Sequence, residues 1–161
     1  MNDKKYILSI DSGSTGIRAF LFDKKGEIVV REYEKTSALY PEAGAIEHDP
    51  KMLWETLLKV VGRIFSREEY NPGDIAAIGL CNQRASFCLW DRNTGKPLIN
   101  FINWADVRAA ETCEQMNSNK KWKFLKKLSG LFSKFSPMMA VTKMLTFVTS
   151  HASVRLKWAL D

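Results

Sequence analysis

The sequence predicts an α/β domain whose elements run in the order βββαβ, and three observations predict it. Short apolar runs alternate with Gly-, Asp- and Asn-rich turns over residues 5–35. A strongly periodic apolar segment begins at Asp49-Pro50. Ile75 to Cys81 is then a continuous apolar run of strand length. Strand-period and helix-period segments in alternation are the pattern of a mixed or parallel sheet with a helix on its face.

Taken in order, residues 5–11, 16–23 and 27–35 read as three strands joined by tight turns, the second turn at Asp23-Lys24-Lys25-Gly26. Loop chemistry follows at Tyr40-Pro41-Glu42-Ala43-Gly44. Asp49 supplies an N-cap carboxylate and Pro50 fits the first helical position. Leu53, Trp54, Leu57, Leu58, Val61, Ile64 and Phe65 recur behind it at helical spacing, so this helix is expected to cover one face of the sheet. His48, just ahead of the cap, is expected to stabilise the entry loop. Asn71-Pro72-Gly73-Asp74 breaks the chain, and Ile75–Cys81 is expected as a buried parallel strand. Phe87–Trp90 reads as another strand, turned back at Asn93-Thr94-Gly95 towards Leu98–Ile102, and 106–116 as a helix. Residues 122–131 read as helical. Pro137 opens a periodic stretch through Met138, Val141, Met144, Leu145, Val148, Ala152, Leu156 and Leu160, read as one or two more helices. The chain thus divides into a core over 4–116 and a helical tail over 117–161. It stops at Asp161 inside a helical pattern with no cap or glycine, which reads as a truncation.

The 161 residues are enough for one domain with a real core, and 45% apolar with 26% charged residues is a globular composition. No apolar run approaches the ~18 residues of a membrane span, and the polar N-terminus running into a strand does not look like a signal peptide. Cys81, Cys88 and Cys113 show no paired spacing. The first two fall in predicted strands, which suits reduced core thiols in a cytoplasmic protein. The net charge of +6 is unevenly placed. Residues 1–114 hold 15 basic and 17 acidic residues, a net of −2, whereas 115–161 hold 9 basic residues and one acid, a net of +8. Lys120, Lys121, Lys123, Lys126 and Lys127 surround Trp122 and Phe124. Such a stretch can grip a phosphate backbone, but no nucleic-acid motif accompanies it, and an amphipathic helix with flanking lysine stems is the favoured reading.

The segment Ile7 to Asp23 carries the chemistry. An apolar strand ends at Asp11, a Ser12-Gly13-Ser14-Thr15-Gly16 turn follows, and a second strand leaves. Glycines allow a tight corner, and backbone N–H groups with the hydroxyls of Ser12, Ser14 and Thr15 can surround an anionic oxygen. Asp11 at the strand end is placed to hold a hydrated divalent cation beside that anion. The turn is no P-loop, because no Gly-Lys-Ser/Thr follows, and no dinucleotide fingerprint, because strand rather than helix follows. On local pattern alone it is equally a Gly-rich hairpin without a ligand.

Three later segments narrow the choice: Glu47-His48-Asp49-Pro50 with Leu53-Trp54-Glu55; Ile75 to Gly79 with Leu80-Cys81-Asn82-Gln83-Arg84; and Trp90-Asp91-Arg92-Asn93-Thr94-Gly95-Lys96-Pro97 with Asn103-Trp104-Ala105-Asp106-Val107-Arg108. Together with the first turn, from about Lys4 to Glu114, they resemble the FGGY family of carbohydrate kinases, glycerol kinase- and xylulokinase-like members above all. That resemblance implies the ribonuclease H-like fold of the actin-like ATPase superfamily, of which this chain would be an incomplete N-terminal domain, with the C-terminal domain absent. It implies ATP and Mg²⁺ as cofactors and a small sugar or polyol as acceptor, with no nucleic-acid or membrane partner. By resemblance Asp11 assists the metal. Ser14, Thr15 and Gly16 lie at the transferring phosphate, and Arg18 stabilises phosphate charge. Arg84 binds the acceptor, Ala85 lies beside it, and Trp104 packs against the acceptor's carbon face. Asp106 and Arg108 are expected to form a local ion pair or a helix start rather than to bind substrate.

The chain departs from the glycerol kinase pattern at two places. A glutamate directly follows the arginine in those enzymes, and here the position is Ala85, with Ser86 behind it. Their substrate-contacting tyrosine is replaced by Met138 or by Ser150, depending on the alignment of the tail. Losing two polar partners favours a ketose such as xylulose, or a longer polyol, over glycerol. The family's general base falls beyond Asp161, so no catalytic base is expected within the chain and it is expected to be inactive alone. Alternatives are a non-catalytic phosphate- or nucleotide-binding module of the same fold, a glycerol kinase, or a basic interaction protein acting through 119–134. An apolar face left without its partner would favour a homodimer.

Overall fold

The computed structural model describes residues 4–119, which fall into two compact units. The first comprises 4–38 and 48–84, the second 39–47 and 85–119. Of the tail expected over 117–161, residues 120–161 lie outside the described residues, and with them Met138, Ser150 and the basic Trp122/Phe124 stretch.

In the first unit, β1 (Tyr6–Ser12), β2 (Gly16–Phe22), β3 (Ile28–Lys35) and β5 (Ile75–Asn82) form one sheet in the order β3-β2-β1-β5. The first three strands run antiparallel, and β5 returns parallel to β1. Strand alternation sends Leu8 and Ile10 of β1, Ile17, Ala19 and Leu21 of β2 and Val30 of β3 to one face, all buried. The helix α1 (Pro50–Phe65) lies over β2 and β3 and completes this core with Val60 and Ile64, both fully buried. Its start is as expected: the Asp49 carboxylate accepts the Lys51 N–H at 2.8 Å, with Pro50 at the first helical position. One flank of α1 is tied to β3 by ion pairs, Lys59 and Arg63 to Glu34 at 2.8 and 2.7 Å and Arg67 to Glu32 at 2.5 Å. Hydrogen bonds from Lys59 and Arg63 hold the Glu34 carboxyl below its ordinary pKa. The opposite flank leaves Trp54 and Leu58 exposed.

The parallel strand forms where the apolar run predicts it, but it is not buried. Ile78 pairs with Leu8 and Leu80 with Ile10 in register, so both point to the core face, yet they are 65% and 69% exposed. The reason is coverage: on that face α1 lies over β2 and β3, and β5 is at the opposite end of the strand order. Cys81 is exposed like every β5 residue after Ile75, against the expectation of a buried thiol. Cys88 is half-buried, and burial raises its thiol pKa; Cys113 is buried; all three are free.

In the second unit, β4 (Glu47–His48), whose Glu47 belongs here, pairs with β6 (Phe101–Ile102). The strand expected over Phe87–Trp90 is reduced to two isolated bridges, Phe87 to Ile102 and Trp90 to Pro97. Pro97 has no N–H to continue a ladder. The turn between them does form, with the Asp91 carboxylate accepting from the Asn93 and Thr94 N–H groups and Gly95 at φ 68°. The helix expected from residue 106 begins later, as α2 (Ala110–Ser118). The Asp106 carboxylate is committed elsewhere: it accepts from the Ile46 N–H at 3.0 Å and from Arg108 Nε and Nη2 at 3.0 and 2.8 Å. Arg108 also reaches Glu47 at 2.6 Å and Glu42 at 3.3 Å. Burial works against the Arg108 charge, but the hydrogen bonds it donates to Asp106 and Glu47 outweigh it and raise its pKa further. Of the two local roles expected of them, Asp106 and Arg108 take the ion pair and not the helix start, within a charge cluster whose Asp106 and Glu47 are buried.

Candidate functional site

The turn between β1 and β2 is braced from outside. The Gly13 N–H donates to the Gly16 carbonyl at 3.0 Å. The Thr15 carbonyl accepts from the Thr36 N–H at 3.2 Å and from the Tyr33 hydroxyl at 3.3 Å. The Ser14 carbonyl lies 3.0 Å from His48 Nε2. Neither Gly13 nor Gly16 has a positive φ, so the turn does not need glycine for a left-handed backbone. Gly16 is needed for close approach: a Cβ there would collide with the Tyr33 ring and sit 2.7 Å from the Glu34 carbonyl.

Beside the turn, Asp11 and Arg18 are cross-strand partners, and Arg18 Nη1 donates to the Asp11 carboxylate at 3.0 Å. Arg18 also lies over the Tyr33 ring, 5.3 Å from its centre, which is cation–π range. Asp11, Arg18 and Tyr33 thus form a row across β1, β2 and β3, on the face opposite the apolar core. Asp11 and Arg18 are both partly exposed, so water and ions reach them.

Arg84 lies at the same edge of the sheet. Because β5 is parallel to β1, with Asp11 opposite Cys81 and Ser12 opposite Asn82, both strands deliver their following turns to one side. The Gln83 N–H donates to the Ser12 carbonyl at 3.1 Å, extending the pairing beyond Asn82. The sequence places Arg84 after a strand; the parallel register is what brings it to the same end of the sheet as the turn that follows β1. Sites at the carboxyl ends of parallel strands are a general habit of α/β folds.

Arg84 is exposed, and Ala85 has φ 56°. A left-handed alanine costs roughly 1 kcal/mol and is worth noticing wherever it occurs. The Ser86 hydroxyl is buried without a hydrogen-bond partner among the described residues. Trp104, in the second unit, is 39% exposed on a turn that the Asn103 carboxamide stabilises by accepting the Ala105 N–H at 2.8 Å. No cluster of three metal-ligating side chains occurs among the described residues. Asp11 offers a single accessible carboxylate, which fits a cation that keeps most of its waters and takes other oxygens from a phosphate.

His48 is what reading the residues in order misses. It sits at the helix entry, as expected, but its ring is buried, 1% exposed, and directed at the turn 34 residues earlier. Nothing local in Glu47-His48-Asp49-Pro50 announces that contact.

The family model for the N-terminal domain of the FGGY family of carbohydrate kinases matches residues 6–159. The chain belongs to this family. The sheet described above is accordingly the N-terminal part of the ribonuclease H-like fold that FGGY kinases share. Among relatives, a glycerol kinase from Mycoplasmopsis pulmonis is 36% identical over 160 residues, which is 99% of this chain and 29% of that protein. A glycerol kinase from Alkaliphilus oremlandii is 40% identical over 158 residues, 98% of this chain and 29% of that protein. The crystal structure of Plasmodium falciparum glycerol kinase with ADP superposes with a TM-score of 0.81 at 25% identity, covering 94% of this chain and 30% of that one. The FGGY chain described here thus spans 29% of the length of those two glycerol kinases.

Proposed function

We propose that the protein these residues belong to transfers a phosphoryl group from ATP to a hydroxyl of a small polyol or ketose, and that this chain supplies the phosphate-binding turn and the acceptor-side arginine. The observation that carries the reading is the shared sheet edge, where the Ser14–Thr15 turn and Arg84 end neighbouring parallel strands joined by the Gln83 to Ser12 hydrogen bond. Phosphoryl transfer asks for positioning and charge neutralisation more than for covalent chemistry. Ser14, Thr15 and Gly16 offer hydroxyls and backbone N–H groups to phosphate oxygens. Arg18 would exchange its bond to Asp11 for one to phosphate, freeing the carboxylate to orient waters of Mg²⁺. Bound Mg²⁺ supplies neutralisation of the negative charge on the phosphate oxygens. Arg84 presents several N–H donors to acceptor hydroxyls, and Trp104 offers an apolar face to acceptor carbons.

For the acceptor, the named relatives support glycerol, whereas one residue supports a larger molecule. Ala85 puts a methyl group where the glycerol kinase pattern has a carboxylate, and the buried Ser86 hydroxyl behind it is free to take a hydrogen bond. On that residue we favour a ketose such as xylulose, or a longer polyol. Kinase assays of the complete protein over a panel of polyols and ketoses test both statements. No turnover with any of them would end the kinase reading. A clear preference for glycerol would end the ketose reading alone. The 161-residue chain by itself is expected to turn over no ATP, because it spans only 29% of the length of the two glycerol kinases named above.

A further inference from the structure

We propose that His48 is a positioning residue of the phosphate turn, fixing the Ser14–Thr15 peptide by holding its carbonyl; this rests on the phosphate-binding reading of that turn. A carbonyl can only accept, so the hydrogen bond to Ser14 O at 3.0 Å requires the proton on Nε2. In the neutral ring Nδ1 then carries only a lone pair, and it has no partner among the described residues. Burial lowers the His48 pKa, partly opposed by the Ser14 carbonyl, which favours this neutral form.

The consequence follows from peptide geometry. In a planar trans peptide the C=O and the following N–H point in opposite directions. With the Ser14 carbonyl held by His48, the Thr15 N–H points away from the imidazole. With the Thr15 carbonyl held by Thr36 and Tyr33, the Gly16 N–H points away from β3. Two successive amide donors are therefore aimed before any anion arrives. A free Gly-Ser-Thr-Gly segment would have to be ordered on binding, at about 1–2 kcal/mol per residue. His48 reaches the turn from the start of α1, so the helix that closes the core also sets the loop.

The test compares His48→Phe, which keeps a ring but removes the donor, with His48→Gln, whose amide N–H can replace it. Mg·ADP is titrated into ¹⁵N-labelled 161-residue chain while the amides of residues 13–16 are followed. His48→Phe is expected to bind about tenfold more weakly, equivalent to about 1.4 kcal/mol, and His48→Gln within about threefold of the parent, at most about half of that energy. Without ligand, ¹⁵N order parameters of residues 13–16 are expected to fall in His48→Phe and recover in His48→Gln. Equal binding and equal order in His48→Phe would overturn the proposal, as would a His48→Gln as defective as His48→Phe. Should His48→Phe fail to fold, the imidazole ¹⁵N spectrum of the parent decides: an Nε2–H tautomer supports the proposal and an Nδ1–H tautomer overturns it. If Mg·ADP moves no amide of the parent, the phosphate-binding reading falls, while the order parameters still judge the hydrogen bond.

Discussion

The β1–β2 hairpin and β5 are neighbours in one sheet and end at one edge, yet they are built differently. The hairpin lies within a closed core: Leu8, Ile10, Ile17, Ala19 and Leu21 pack with Val60 and Ile64, and its turn is tied to His48, Tyr33 and Thr36. Strand β5 has an equally apolar sequence, yet its Ile78 and Leu80 stay open and the turn after it holds a left-handed alanine. The difference teaches that a strand's apolarity states what it can bury, whereas the placement of a covering helix states what it does bury. The proposed phosphate half is braced by elements of the same core that folds the unit, and the Arg84 half follows the open strand.

The largest expected effect follows from that contrast. Ile64→Ala should cost about 2–5 kcal/mol as a cavity in the closed core, whereas Leu80→Ala should change stability by less than about 0.5 kcal/mol, as at other surface positions. Chemical denaturation of both variants checks this, and comparable losses would erase the distinction. Gly16→Ala should cost about 1–3 kcal/mol through overpacking. Adding Tyr33→Ala should recover only part of it, because the Glu34 carbonyl, 2.7 Å from the new Cβ, is backbone and cannot swing away. Full recovery in the double variant would assign the whole constraint to the tyrosine ring.

A pH dependence comes next. The buried His48 has its pKa lowered from 6.5, so near that value the unfolded chain takes up a proton that the folded one resists. Its contribution is fully present above pH 6.5 and is lost as pH falls from there through the folded pKa. Melts between pH 7.5 and 5 should show this slope in the parent and lack it in His48→Phe. The smallest effect concerns the open side: Ala85→Gly should stabilise by about 0.4–1 kcal/mol, since glycine adopts φ 56° without strain. A loss of stability there would mean that the methyl group makes a contact worth more than the strain it causes.

Much of this was legible in the residues. Alternation of apolar and polar side chains marks the three hairpin strands to within a residue or two, because a sheet with one buried face enforces period two. Asp49-Pro50 marks the start of α1, because capping is local chemistry. Asp11, Ser14, Thr15, Gly16 and Arg18 stand together for the same reason, being consecutive or cross-strand neighbours of one tight hairpin. Where distant partners decide, local reading falls short. Phe87–Trp90 has strand-like residues, but its partner segment brings Pro97 to the pairing position. Asp106 looks like a helix start until Arg108 and the Ile46 amide take its oxygens. Gly16 looks like a conformational glycine until Tyr33 and Glu34 close in on it.

The sequence by itself determined the family, the order βββαβ and the hydroxyl- and glycine-rich character of the turn between β1 and β2, since these depend on residue type and spacing along the chain. Only the tertiary structure decided that β5 lies open, that Arg84 follows a strand ending at the same end of the sheet as β1, and that His48 lies in hydrogen-bond range of the Ser14 carbonyl. Each of these depends on which segments, tens of residues apart, meet across the sheet and under α1. Register and coverage are properties of packing, which no local pattern contains.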